Sequence, residues 1–113
     1  MIRKAFKMPV YREQQDEYAR RHNPIWEELE ATLLEYGVRS YSIFLDSLAS
    51  ELFAYVEVES EEQWEAIGQT EVCRRWWHHM RDVMPNSVNH QPYSHDLREV
   101  FHIEAPLGLA NRR

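Results

Sequence analysis

Cysteine is nearly absent from this chain: Cys73 is the only one among 113 residues. No intrachain disulfide can form, which fits a reducing compartment, and the cytoplasm is the expected location. Glycine is scarce as well, at three residues, and no Gly-rich phosphate loop occurs, which argues against a nucleotide enzyme. No apolar run approaches the roughly 18–20 residues that span a bilayer, so no membrane partner is expected. The Met1–Met8 stretch has basic residues but lacks the long apolar segment of a signal peptide. The six histidines and one cysteine show neither HExxH nor paired CxxC spacing, so no metal site is expected. Positive charge is in deficit, with 13 Lys+Arg against 19 Asp+Glu and a net charge of −6. A field of that sign repels nucleic acid and anionic membranes.

What the chain has in quantity is aromatic surface. Four Trp, six Tyr and four Phe make up 12% of the residues, a large apolar area for a length that suits one domain. Residues 1–103 read as that domain and residues 104–113 as a loosely held tail.

Periodicity orders the elements. Phe6, Met8 and Val10 share a parity and predict a strand over Arg3–Val10. Tyr18, His22, Ile25, Leu29, Leu33 and Tyr36 then recur at helical spacing from about Glu13. Pro24 interrupts them, so the helix kinks or restarts, with Asn23 suited to an N-cap and Gly37 to the C-terminal stop. Tyr41, Ile43 and Leu45, and then Leu52, Ala54, Val56 and Val58, form two strands of a hairpin. Ser60 with Gln63 has capping-box form, and Thr70 caps a further helix carrying Val72, Trp76, Met80 and Met84. Residues 85–94 read as loop, and Leu97, Phe101 and Ile103 as a last strand. The order βαββαβ is the α+β, ferredoxin-like arrangement with an antiparallel sheet. Its helices cover one face only, yet Phe44, Phe53, Tyr55 and Val100 fall on the other. Four apolar side chains there need a cover, and a second copy packed sheet to sheet, a dimeric α/β barrel, supplies one.

His22 is the sharpest candidate for chemistry. It shares the inward stripe with Tyr18 one turn earlier, and imidazole gives and takes protons near neutral pH. The competing reading is a buried histidine bonded to a backbone carbonyl. Trp76 and Trp77 are adjacent, so their side chains diverge by about 100° and cannot share one core stripe. One of them lines an edge, cavity or interface, either as a flat wall for a ligand or as dimer packing. Tyr41 points to the same side as the core and serves a pocket or the core equally. His78 and His79 read as mainly surface, Cys73 as structural, and the Arg20-Arg21 and Arg74-Arg75 pairs as helix-face charges.

Four strings then resemble a known family: Tyr18-Ala19-Arg20-Arg21-His22-Asn23-Pro24-Ile25-Trp26, Tyr41 to Asp46, Cys73 to Trp77, and Leu97 to Phe101. Together they resemble the L-rhamnose mutarotases, and the likeness runs from Met1 to about Ile103. The resemblance implies a cytoplasmic, cofactor-free and metal-free isomerase that interconverts the α and β anomers of L-rhamnose, working as a homodimer. It implies His22 as the catalytic proton donor and Tyr18, Tyr41, Trp76 and Trp77 as substrate-binding residues. The tail from Ala105 to Arg113, the His78-His79 pair and the loop around Val88 to Tyr93 depart from the family pattern. Two further classes share the expected architecture: a haem-linked or quinone-type monooxygenase with His22 as axial ligand, and a non-catalytic sugar-binding module.

Overall fold

The computed structural model describes residues 1–106 and residue 108. Strand β1 (Ile2–Pro9) leads through a 3₁₀ turn at Arg12–Gln14 into α1 (Gln15–Arg21) and α2 (Glu27–Glu35). The hairpin β2 (Val38–Asp46) and β3 (Glu51–Val58) follows, then α3 (Glu61–Ile67), α4 (Glu71–His79) and β4 (His95–Leu97). The strands form one antiparallel sheet in the order β2-β3-β1-β4. This is the expected ferredoxin-like arrangement, with a helix pair in each of the two crossover positions.

Strand parity decides which side of the sheet is filled. Leu52, Ala54, Val56 and Val58 of β3 are buried with Phe6 and Met8 of β1. The register puts Ile43 opposite Ala54 and Tyr41 opposite Val56, so these share the helix-side face. Leu29, Ile67, Val72, Cys73, Trp76 and Met80 close the same core from the helices. On the outer face Phe44 stands opposite Phe53, and Ser42 opposite Tyr55. Phe44 is 65% exposed among the described residues.

Local signals account for the element ends. Ser60 Oγ accepts from the Gln63 backbone N–H at 3.0 Å, and Thr70 Oγ1 from that of Cys73 at 3.3 Å. Gly37 ends α2 with φ +90°, in the left-handed region that glycine adopts without steric cost.

Two expectations fail. The helix interrupted at Pro24 does not restart there: α2 begins at Glu27, with Trp26 and not Asn23 at its N-cap. Asn23 instead donates its side-chain amide back to the Ala19 carbonyl at 2.7 Å, closing the end of α1. The last strand is shorter and earlier than the Leu97–Ile103 alternation suggests. It is His95–Leu97, with Leu97 opposite Ala5 and hence on the outer face. Val100, Phe101 and Ile103 lie beyond the ladder at 76–79% exposure, because alternation makes a strand only where an edge remains to pair with. Of the expected tail, residues 107 and 109–113 lie outside the described residues. No helix among the described residues is long and apolar enough to cross a membrane.

Candidate active site

Helix α1 carries Tyr18 and His22 to the site and is fastened at both ends by side chains. At its start, Gln15 donates to the Ser47 carbonyl at 3.1 Å and to Ser50 Oγ at 3.0 Å, tying it to the β2–β3 turn. At its end, Arg21 donates to the His79 carbonyl at 2.7 Å and to both Asp82 oxygens at 2.9 and 3.1 Å. Arg21 also meets Glu17 at 2.7 Å, and Arg20 bonds the same carboxylate. Those two guanidinium groups hold the Glu17 carboxyl down at about 2.

His22 follows directly, at the helix C-cap. Its Nδ1 lies 2.9 Å from the Tyr18 carbonyl. A carbonyl oxygen only accepts, so Nδ1 carries the hydrogen and the neutral ring keeps its lone pair on Nε2. Among the described residues no protein group bonds Nε2, and none of their buried side-chain nitrogens or oxygens is stranded without a partner. Nε2 therefore opens toward solvent. Burial pulls the imidazole pKa below its ordinary 6.5, and the Tyr18 carbonyl partly opposes this. The ring is neutral at pH 7. The carbonyl bond that the competing reading expected is present, and it uses only one of the two ring nitrogens.

Tyr18 and Trp76 frame the imidazole. The Tyr18 ring stacks on it at 4.4 Å, and Trp76 meets it edge to face at 5.2 Å. Tyr41 of β2 comes from the sheet, 5.9 Å from Trp64. Desolvation raises the hydroxyls of both Tyr18 and Tyr41 above the ordinary tyrosine range, and the Tyr41 hydroxyl is near enough to Tyr18 to add to its shift. More than a third of Tyr41 is exposed, although its hydroxyl is desolvated. The structure thus gathers Tyr18, His22, Tyr41 and Trp76. Trp77 diverges as helical geometry requires. It is half-buried, and its ring covers Gly68, where an added Cβ would lie 3.1 Å from the indole.

Several contributors escaped the sequence. Trp26 meets Trp76 edge to face at 5.0 Å, and Arg75 lies over its ring while bonding Glu28 at 2.8 Å. His79 is not surface: half-buried, it packs 5.2 Å from Trp26 and 5.5 Å from Trp76. His78 is exposed as expected. Arg21 read as a helix-face charge but is only 13% exposed in its side chain, against 71% for Arg20. Its long reach into α4 has no local signature. Cys73 is buried and desolvation pushes its thiol up to about 11, in keeping with the structural reading. Among the described residues no group of three His, Cys, Asp or Glu is placed to hold a metal ion.

The arrangement has known counterparts. A dimeric ferredoxin-like protein from an uncultured marine organism is 12% identical, with a TM-score of 0.60 over 92% of this chain and 95% of that one. That likeness shows the fold alone. A crystal structure of an L-rhamnose mutarotase from Formosa agariphila is 36% identical, with a TM-score of 0.85 over 92% of this chain and 100% of the other. An L-rhamnose mutarotase of Enterobacter sp. (strain 638) is 54% identical over 104 residues, covering 92% of this chain and all of that protein. Residues 3–103 match the family described as L-rhamnose mutarotase. With both crossovers, the sheet and the α1–α4 site inside that match, the chain belongs to the L-rhamnose mutarotase family.

Proposed function

We propose that this chain interconverts the α and β anomers of L-rhamnose by acid/base catalysis at His22. The observation that carries the mechanism is the imidazole with Nδ1 held by the Tyr18 carbonyl and Nε2 left, among the described residues, without a protein partner. Opening a pyranose moves one proton from the anomeric O1 to the ring O5 as the C1–O5 bond breaks. Nε2 takes the O1 proton, and the imidazolium so formed gives it to O5. The open-chain aldehyde turns about C1–C2, and the same steps in reverse close the ring on the other face. One well-placed acid/base contributes about 10²–10⁴-fold.

Binding falls to the surrounding aromatics. The Tyr18 and Tyr41 hydroxyls have no protein hydrogen-bond partner among the described residues, so they are free for sugar hydroxyls. Trp76 provides an apolar face for the C6-methyl side of a 6-deoxy sugar, and the family resemblance extends that role to Trp77, whose ring lies over Gly68. Tyr18 orients His22 through its backbone carbonyl and ring stacking, while its hydroxyl remains for substrate. The open outer face around Phe44, Phe53 and Tyr55 supports a homodimer, and the single buried thiol supports a cytoplasmic setting.

The test is exchange NMR on the anomeric protons of L-rhamnose. The protein is expected to accelerate α/β exchange over buffer, and His22→Ala to lose that acceleration. No acceleration by the wild type refutes the activity. An undiminished His22→Ala refutes the mechanism alone. Binding without exchange would instead indicate a sugar-binding module.

A further inference from the structure

We propose that Arg21 is a positioning residue for this reaction, its guanidinium setting the distance between His22 on α1 and Trp76 on α4. The inference rests on the reading of His22 as the catalytic group. Helix α1 has seven residues and stops at Arg21, and the chain between His22 and Trp26 is not helical. No continuous helix therefore carries the position of His22 into α2. Among the described residues, the hydrogen bonds joining α1 to the end of α4 and the turn after it are those of Arg21, to the His79 carbonyl and to Asp82. Their short lengths and planar fork define direction as well as distance.

The far end of this clamp belongs to the same site. His79 packs on Trp76, and Trp76 touches the His22 imidazole. The path Arg21–His79–Trp76–His22 closes a ring with the peptide bond between Arg21 and His22. Without the clamp, the imidazole keeps its bond to Tyr18, within its own helix, but α1 is free to shift against α4. A displacement of about 1 Å of a reacting group costs roughly 10²-fold in rate. Arg20 provides an internal control. It bonds the same Glu17 and carries the same charge, but makes no bond to α4 and is largely exposed.

The experiment compares Arg21→Met, Arg21→Lys, Asp82→Asn and Arg20→Met by exchange NMR over a range of L-rhamnose concentrations, with thermal unfolding of each. Arg21→Met is expected to lower kcat by about 10–100-fold with KM within about threefold. Arg21→Lys, a point donor without the fork, should recover most of the unfolding temperature and only part of kcat. Arg20→Met should keep kcat. Asp82 is largely exposed, so Asp82→Asn should fold and lower kcat several-fold; it decides the matter if Arg21→Met does not fold. Unchanged kcat in Asp82→Asn, or equal loss in Arg20→Met and Arg21→Met, overturns the proposal. Loss in His22→Ala with full activity in both Arg21→Met and Asp82→Asn overturns it while leaving the catalytic role of His22 standing. Full activity in His22→Ala removes both.

Discussion

The charge state of His22 gives the most demanding test of the mechanism. An imidazole at its ordinary pKa of 6.5 is about nine-tenths neutral at pH 7.5, and burial sets that of His22 lower still. The base form therefore prevails throughout the neutral range. If Nε2 starts the reaction by accepting the O1 proton, kcat/KM is flat above about pH 7 and falls tenfold per unit on the acid side. Its half-value lies below 6.5. The assay is anomeric exchange NMR between pH 5 and 8.5, with the buffer-catalysed rate subtracted at each pH. His22→Ala should lose about 10²–10⁴-fold, equivalent to about 3–5 kcal/mol of barrier, together with the acid limb. A half-value above 6.5 would refute the depressed imidazole pKa, and a rate that climbs on acidification would show that imidazolium begins the reaction and would refute the assignment. Stability follows the same sign. With the folded pKa depressed, the unfolded chain binds more protons below 6.5, so His22 destabilises the fold as pH falls through that window and not above it.

Tyr18→Phe and Tyr41→Phe each remove a hydroxyl that has no protein partner among the described residues; each should raise KM about tenfold, the worth of one neutral hydrogen bond, with little change in unfolding temperature. Trp76→Ala should destabilise the fold by about 3–5 kcal/mol as a buried indole and abolish activity, checked by denaturant titration. Trp77→Ala with unchanged folding should raise KM; unchanged kinetics would return that ring to packing over Gly68. Phe44→Asp should leave the protomer folded, since the side chain is exposed, and shift the sedimentation coefficient to that of a monomer. A monomeric wild type at micromolar concentration would refute the dimer.

Much of this was legible from the chain because strands and caps have short-range rules. Parity alone put Tyr41, Ile43 and Leu45 on the helix side and Phe44, Phe53 and Tyr55 on the other, and the register agrees. The four-residue spacing put Tyr18 beside His22 on one helix face, and in the structure their rings stack at 4.4 Å. What escaped depends on tertiary partners. The Val100–Ile103 alternation looks like a strand, but pairing ends at Leu97. Pro24 marked the break in the helix but not its restart at Glu27. His79 and Arg21 looked like surface charges because their partners lie on another helix. The bond that selects the His22 tautomer goes to a backbone carbonyl, a group present at every residue and therefore invisible in a side-chain pattern.

The brevity of α1 has a consequence for how the enzyme fails. An isolated helix sustains itself in water only beyond about 12–15 residues, and α1 has seven. Its shape is borrowed from Gln15 at one end and Arg21 at the other, while the sheet beneath is held by long ladders. Local opening should therefore release α1 well before the strands part, and its amides should exchange with solvent faster than those of β1 and β3. Turnover is then expected to vanish at a denaturant concentration where the sheet's circular dichroism is still intact. Inactivation and unfolding become two separate events, and loss of activity reports the earlier one.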